Sequence, residues 1–113
     1  MTRASEPIGV AVLGYGLAGQ TFHAPLVAAT PGLELRAVVS SRPEAVHADW
    51  PDVEVLPDLD AALARDDIGL IVVATPDALH ADQAVAALEA GRHVVVDKPF
   101  AQTLAQAERV AAA

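Results

Sequence analysis

The sequence predicts an α/β chain, a doubly wound parallel sheet of five strands with helices on both faces. Three observations predict it. Five short apolar runs alternate with five stretches of helical pattern, the order of repeated strand–helix units. The run Leu70-Ile71-Val72-Val73-Ala74 shows no polar alternation, which suits a parallel strand covered on both faces. The first run is followed at once by Gly14-Tyr15-Gly16-Leu17-Ala18-Gly19, a glycine turn opening a helix. Right-handed crossovers then give the spatial order 3-2-1-4-5, with a switch point between the first and fourth strands.

Each element has its own signal. Met1–Glu6 is polar, and residues 1–7 are expected to fray. Ile8–Leu13 is the first strand. A helix runs from near Leu17 toward Thr30, with a kink or restart near Ala24, because Pro25 lacks an N–H and crowds the carbonyl of Thr21. Pro31-Gly32 ends it. Leu33–Val39 is the second strand, and Pro43 opens a short helix through about Asp49. Val53–Leu56 is a third, short strand. Asp58 caps a helix through Arg65, with Leu59 and Leu63 on one face. Leu70–Ala74 is the fourth strand, Ala78–Ala90 a helix with Gly91 just past its end, and His93–Val96 the fifth strand. From Thr103 the chain is helical to its end.

Composition narrows the function classes. With 113 residues, 53% hydrophobic and 19% charged, the chain can bury one modest core. A net charge of −8 disfavours nucleic acid and anionic membranes as partners. Without cysteine there are no disulfides, zinc–thiolate sites or thiol chemistry, and no metal site is expected. No apolar run is long enough to span a bilayer and no secretion signal is visible, so a cytoplasmic location is expected. The abundant alanine reads as helix-packing material.

The chemistry lies in four loops that the topology gathers at the carboxyl ends of the strands: Gly14–Gly19, Ser40–Arg42, Thr75–Asp77 and Asp97–Pro99. In the first, Gly14 permits the tight turn, Gly16 allows backbone to approach a pyrophosphate, and Gly19 lets the helix pack on the strand. The helix start adds unpaired N–H groups and a positive dipole end, so a dinucleotide is the expected ligand. In the second, Ser40, Ser41 and Arg42 stand where NAD enzymes place an acidic residue; hydroxyls and a guanidinium suit a 2′-phosphate, and NADP is preferred over NAD. Arg42 could equally be a solvated loop arginine, and Ser41 a helix cap before Pro43. Glu34 is acidic but sits at the wrong end of its strand. Lys98, beside a nicotinamide, could hydrogen-bond a substrate oxygen and stabilise developing charge.

Four blocks taken together resemble the amino-terminal half of the Gfo/Idh/MocA family of NAD(P)-dependent oxidoreductases. They are Gly14-Tyr15-Gly16-Leu17-Ala18-Gly19, Phe22-His23-Ala24-Pro25, Ala74-Thr75-Pro76-Asp77-Ala78-Leu79-His80 and Asp97-Lys98-Pro99. The resemblance covers the chain from Ile8 onward and implies one NAD(P)-binding Rossmann domain over residues 8–113. It implies that Gly14, Gly16 and Gly19 are the dinucleotide glycines, with the N–H groups of Leu17 and Ala18 facing the pyrophosphate. Thr75 and Pro76 match the family's Thr-Pro step, which lines the cofactor, and Asp77 replaces the commoner Asn. His80 matches the family's histidine, read here as a structural hydrogen-bonding residue at a helix start, and His23 is expected to orient the glycine turn. Lys98 matches the family lysine near nicotinamide and substrate, which makes it the catalytic candidate. Asp97 is one methylene shorter than the usual Glu, which puts the carboxylate's contacts in question.

The expected function is hydride transfer between NADP(H) or NAD(H) and a sugar, polyol or similar hydroxy or carbonyl compound. The alternative is a stand-alone dinucleotide-binding module without catalysis. The resemblance also implies a sixth strand and a second, substrate-binding domain that this sequence does not contain, so the chain alone is expected to bind cofactor with little turnover. It reads as a truncated piece of a longer enzyme, or as a chain that self-associates through the apolar fifth strand, His93-Val94-Val95-Val96.

Overall fold

The computed structural model describes residues 6–113, so most of the expected frayed segment lies outside the described residues. Strands β1 (Ile8–Leu13), β2 (Leu33–Val39), β3 (Glu54–Leu56), β4 (Leu70–Val73) and β5 (His93–Val96) form one sheet in the order β3-β2-β1-β4-β5. Every pairing is parallel. This is the expected doubly wound topology, and the order reverses between β1 and β4.

Alternation along the strands divides two layers. Val10, Val12, Val38 and Val72 face one side, where they meet Ala24 and Val27 of helix α1 (Ala24–Ala29) and Val46 of α2 (Pro43–Asp49). Ala11, Leu13, Ala37, Ile71 and Val73 face the other, against Ala62 of α3 (Leu59–Leu63) and Ala87 of α4 (His80–Glu89). Helix α5 (Leu104–Ala112) extends that second layer by setting Val110 against Ala81 and Ala84. Small alanines bring the helices close, the packing role read from composition.

One irregularity resets the alternation. The β1–β2 register runs Val10↔Leu35 and then Ala11↔Ala37, so Arg36 is an extra residue, a bulge in β2. Leu35 packs with the first layer and Ala37 with the second, the reverse of strict alternation. The Arg36 side chain crosses Gly9, where an added Cβ would stand 2.6 Å from Nη1, and donates to the carbonyl of Asp67.

Several boundaries differ from expectation for local reasons. The first helix opens at Leu17 and restarts at Ala24 as expected, but the stretch between is a π-helical segment, Gly19–His23, leading into α1. The N–H of Ala24 reaches back to the Gly19 carbonyl, and the wider turn seats Pro25 in the first turn of α1. The helix stops at Ala29, with Gly32 at φ +90° in the following turn. β3 begins one residue late because the Val53 N–H closes a turn onto Trp50. β4 ends at Val73, although the Ala74 N–H still bonds Leu13. Asp58 does cap α3, accepting from Ala61 at 2.9 Å, but the helix ends at Leu63, not Arg65. The Leu63 and Arg65 carbonyls are taken by Arg92. A single 3-10 turn, Asp77–Leu79, precedes α4, and Thr103 is the N-cap of α5, accepting from Gln106. No helix among the described residues is long and apolar enough to cross a membrane.

Candidate functional site

A cleft of about 480 Å³ opens at the carboxyl ends of β1, β2 and β4. Gly14, Gly16, Ser40, Ser41, Arg42, Thr75 and Pro76 line it, together with Tyr15, Val39, Pro57 and Ala74. Three of the four predicted loops therefore converge on one concavity at the switch point, where open α/β sheets bind ligands.

The glycine turn separates into two kinds of glycine. Gly14 has φ +94°, and a Cβ there would stand 2.9 Å from the Ala74 carbonyl oxygen. A Cβ on Gly19 would collide with the Gly14 carbonyl, so this glycine lets the helix sit on the turn. Both are demanded by the protein's own packing. Gly16 is not: an added Cβ would meet no protein atom within 4 Å, and its φ lies outside the left-handed region. It lines the cleft with bare backbone, the property that a closely approaching pyrophosphate requires. The residues present thus fit a dinucleotide. Leu17, Ala18 and Gly19 follow as the helix start and do not line the cleft itself.

Tyr15 fastens this turn to α2. Its ring is buried and its hydroxyl donates to Asp49 Oδ2 at 2.6 Å, while Gln20 Nε2 donates to the same oxygen at 3.2 Å. Burial, followed by the Asp49 hydrogen bond and charge, pushes the Tyr15 phenol up to about 12. The Tyr15 and Gln20 hydrogen bonds hold the Asp49 carboxyl below its ordinary value. Arg42 binds the turn from the other side, with Nη2 donating to the Tyr15 carbonyl at 2.9 Å. The guanidinium predicted for the cofactor therefore also braces the glycine turn. Ser40 Oγ accepts the Arg42 N–H at 3.0 Å, and the residue at the N-cap of α2 is Arg42, so Ser41 does not cap the helix. Glu34 pairs with Arg36, away from the cleft.

The other predicted residues lie one strand further along the same edge. Asp97 and Lys98 follow β5; Lys98 is exposed, and its N–H donates to Asp97 Oδ1 at 3.0 Å. His23, expected at the glycine turn, instead places Nε2 3.6 Å from Asp97 Oδ1. The π-helical segment carries it across to β5. Asp77 is exposed at the start of the 3-10 turn. His80 is buried, bonded to the carbonyls of Thr75 and Pro99. Neither Asp77, His80, Asp97 nor Lys98 lines the cleft. Sequence reasoning missed Tyr15 as a site residue, although it sits inside the glycine motif; its partner Asp49, 34 residues away, carries no local signal.

A parallel sheet with a glycine turn and a cleft at its switch point defines a dinucleotide-binding Rossmann domain. The sequence profile of the oxidoreductase family GFO_IDH_MocA, NAD-binding Rossmann fold, matches residues 8–113, and the chain belongs to that family. It is 51% identical over 106 residues to the uncharacterized oxidoreductase YdgJ of Escherichia coli, a match covering 94% of this chain and 31% of that protein. It is 38% identical over 106 residues to scyllo-inositol 2-dehydrogenase (NADP(+)) IolW of Bacillus subtilis, covering 94% of this chain and 30% of that protein. The crystal structure of GenD2 from gentamicin A biosynthesis in complex with NAD superposes with a TM-score of 0.87 at 38% identity, over 98% of this chain and 32% of that one. The chain thus spans about a third of the length of these relatives.

Proposed function

We propose that this domain binds NADP(H) in preference to NAD(H). We propose further that it serves hydride transfer to or from a sugar, polyol or similar hydroxy or carbonyl compound. The observation that carries the nucleotide reading is Gly16, a glycine that lines the cleft and that nothing in the protein's own packing requires. Gly14, Gly16 and the helix start would hold the pyrophosphate, while Ser40, Ser41 and Arg42 would face the adenosine ribose. Arg42 spends one N–H on Tyr15, which orients the guanidinium and leaves further donors of its fork for a 2′-phosphate. The NADP(+) in the name of the Bacillus relative supports that preference, and its inositol substrate supports the polyol class. When bound, the nicotinamide supplies or accepts the hydride. Lys98 is the catalytic candidate of this chain, its ammonium donating to the reacting oxygen of the substrate.

A second reading, a nucleotide-binding module without catalysis, is favoured by one observation: Lys98 stands outside the cleft. Titration with NADPH and NADH, followed by nicotinamide fluorescence, tests the proposal. Tighter NADPH binding that Arg42→Ala reduces supports it. Tighter NADH binding keeps the site and overturns the 2′-phosphate assignment; binding of neither overturns both. Cofactor turnover on a polyol panel then separates enzyme from module.

A further inference from the structure

Among the described residues His80 is the one buried polar or charged side chain, 1% exposed. Its Nε2 lies 2.7 Å from the Thr75 carbonyl oxygen and its Nδ1 lies 2.8 Å from the Pro99 carbonyl oxygen. The two partners belong to different loops, one following β4 and one following β5. Both are carbonyl oxygens, which accept and cannot donate. The ring donates from one nitrogen or the other, so the imidazole sits between the two loops in contact with both.

We propose that His80 is a positioning residue, a clamp that holds the Thr75-Pro76 step and the Lys98-Pro99 step at a fixed spacing. The clamp acts on backbone and touches no ligand. Through Thr75 it fixes one wall of the nucleotide cleft, and through Pro99 it fixes the residue next to Lys98. The Gln83 side chain, bonded to Thr75 Oγ1, holds the same step from one turn further along α4. Any influence of the clamp on cofactor binding rests on the function proposed above; the clamp itself does not.

Two measurements on the 113-residue chain separate these levels. The first needs no ligand and compares backbone amide spectra of His80→Leu and His80→Gln with the parent chain. The clamp requires His80→Leu to move signals in both Thr75–Asp77 and Lys98–Phe100, with His80→Gln, which keeps a donor, moving them less. Changes confined to the first segment and α4 overturn it. If His80→Leu does not fold, His80→Gln decides: signals moving in both segments support the clamp, and signals moving in only one overturn it. The second measurement is nucleotide binding. Where the parent binds NADPH, His80→Leu should weaken binding about tenfold. If the parent binds neither nucleotide while both loops respond to His80→Leu, the clamp stands and the functional proposal falls.

Discussion

The two edges of the sheet are finished by different chemistry. At the amino-terminal edge, arginines tie side chain to backbone. Arg92 donates to the carbonyls of Ile68, Leu63, Arg65 and Ala90; Arg65 pairs with Asp67 and Glu54; Arg36 reaches Asp67 and Glu34. The guanidinium donors there are turned inward onto the chain's own acceptors. At the carboxyl edge the same kind of group, Arg42, spends one bond on the Tyr15 carbonyl, and the surroundings are glycine, serine and threonine around a cleft. One edge spends its hydrogen-bonding capacity on itself and stabilises the fold. The other holds capacity back, and that is where a ligand can be recognised.

Substitutions should separate the two edges. Arg92→Ala should have the largest effect on folding, about 3 kcal/mol in urea melts, because it strands several partly buried carbonyls at once. Its nucleotide affinity should match the parent, and a parallel loss of affinity would break the division between the edges. Gly14→Ala should cost about 2 kcal/mol, from its φ of +94° and the Ala74 carbonyl, and should lower affinity as well. Gly16→Ala sharpens the contrast most: melting should change by less than about 0.5 kcal/mol while NADPH affinity falls by more than about tenfold. A stability loss at Gly16 equal to that at Gly14 would remove the distinction between the two glycines.

The smallest expected effect is a pH dependence at the Tyr15–Asp49 latch. Asp49 is held below its ordinary value in the folded state, so its contribution is present above the ordinary carboxylate range and is lost as pH falls through the lowered value. Tyr15 is raised from 10.0 to about 12, so its contribution is present below pH 10 and is lost as pH rises toward 12. Tyr15→Phe should flatten both limbs of the stability–pH profile. An unchanged profile would show that the latch contributes nothing to folding. Separately, the fifth strand leaves Val95 47% exposed, and we propose association of copies through that edge; concentration-independent monomers in sedimentation would count against it.

Much of the carboxyl edge was legible because its signals are local. Gly14, Gly16 and Gly19 lie within six residues, and strand order follows from alternation and crossover rules, so the sequence alone assigns four loops to one edge. The amino-terminal edge was not legible. Arg92 meets the carbonyls of Ile68, Arg65 and Leu63 across 24 to 29 positions, and Arg36 meets Asp67 across 31. No periodicity reports such a bond. The same limit explains α3: an Asp58 cap is visible locally, whereas a helix end set by a distant guanidinium is not. The approach of His23 Nε2 to Asp97 Oδ1, 3.6 Å, joins residues far apart in sequence, and no local spacing reports it.

The bulge at Arg36 keeps the count for the rim of the cleft. Because Arg36 is the extra residue, Leu35 and Ala37 stand on opposite layers and Val38 returns to the first. A strand lacking Arg36 would pair without a bulge and leave Val38 and Ser40 in their present phase. Regular pairing at the present length would instead send Val38 toward the α3–α4 layer and turn Ser40 over at the rim.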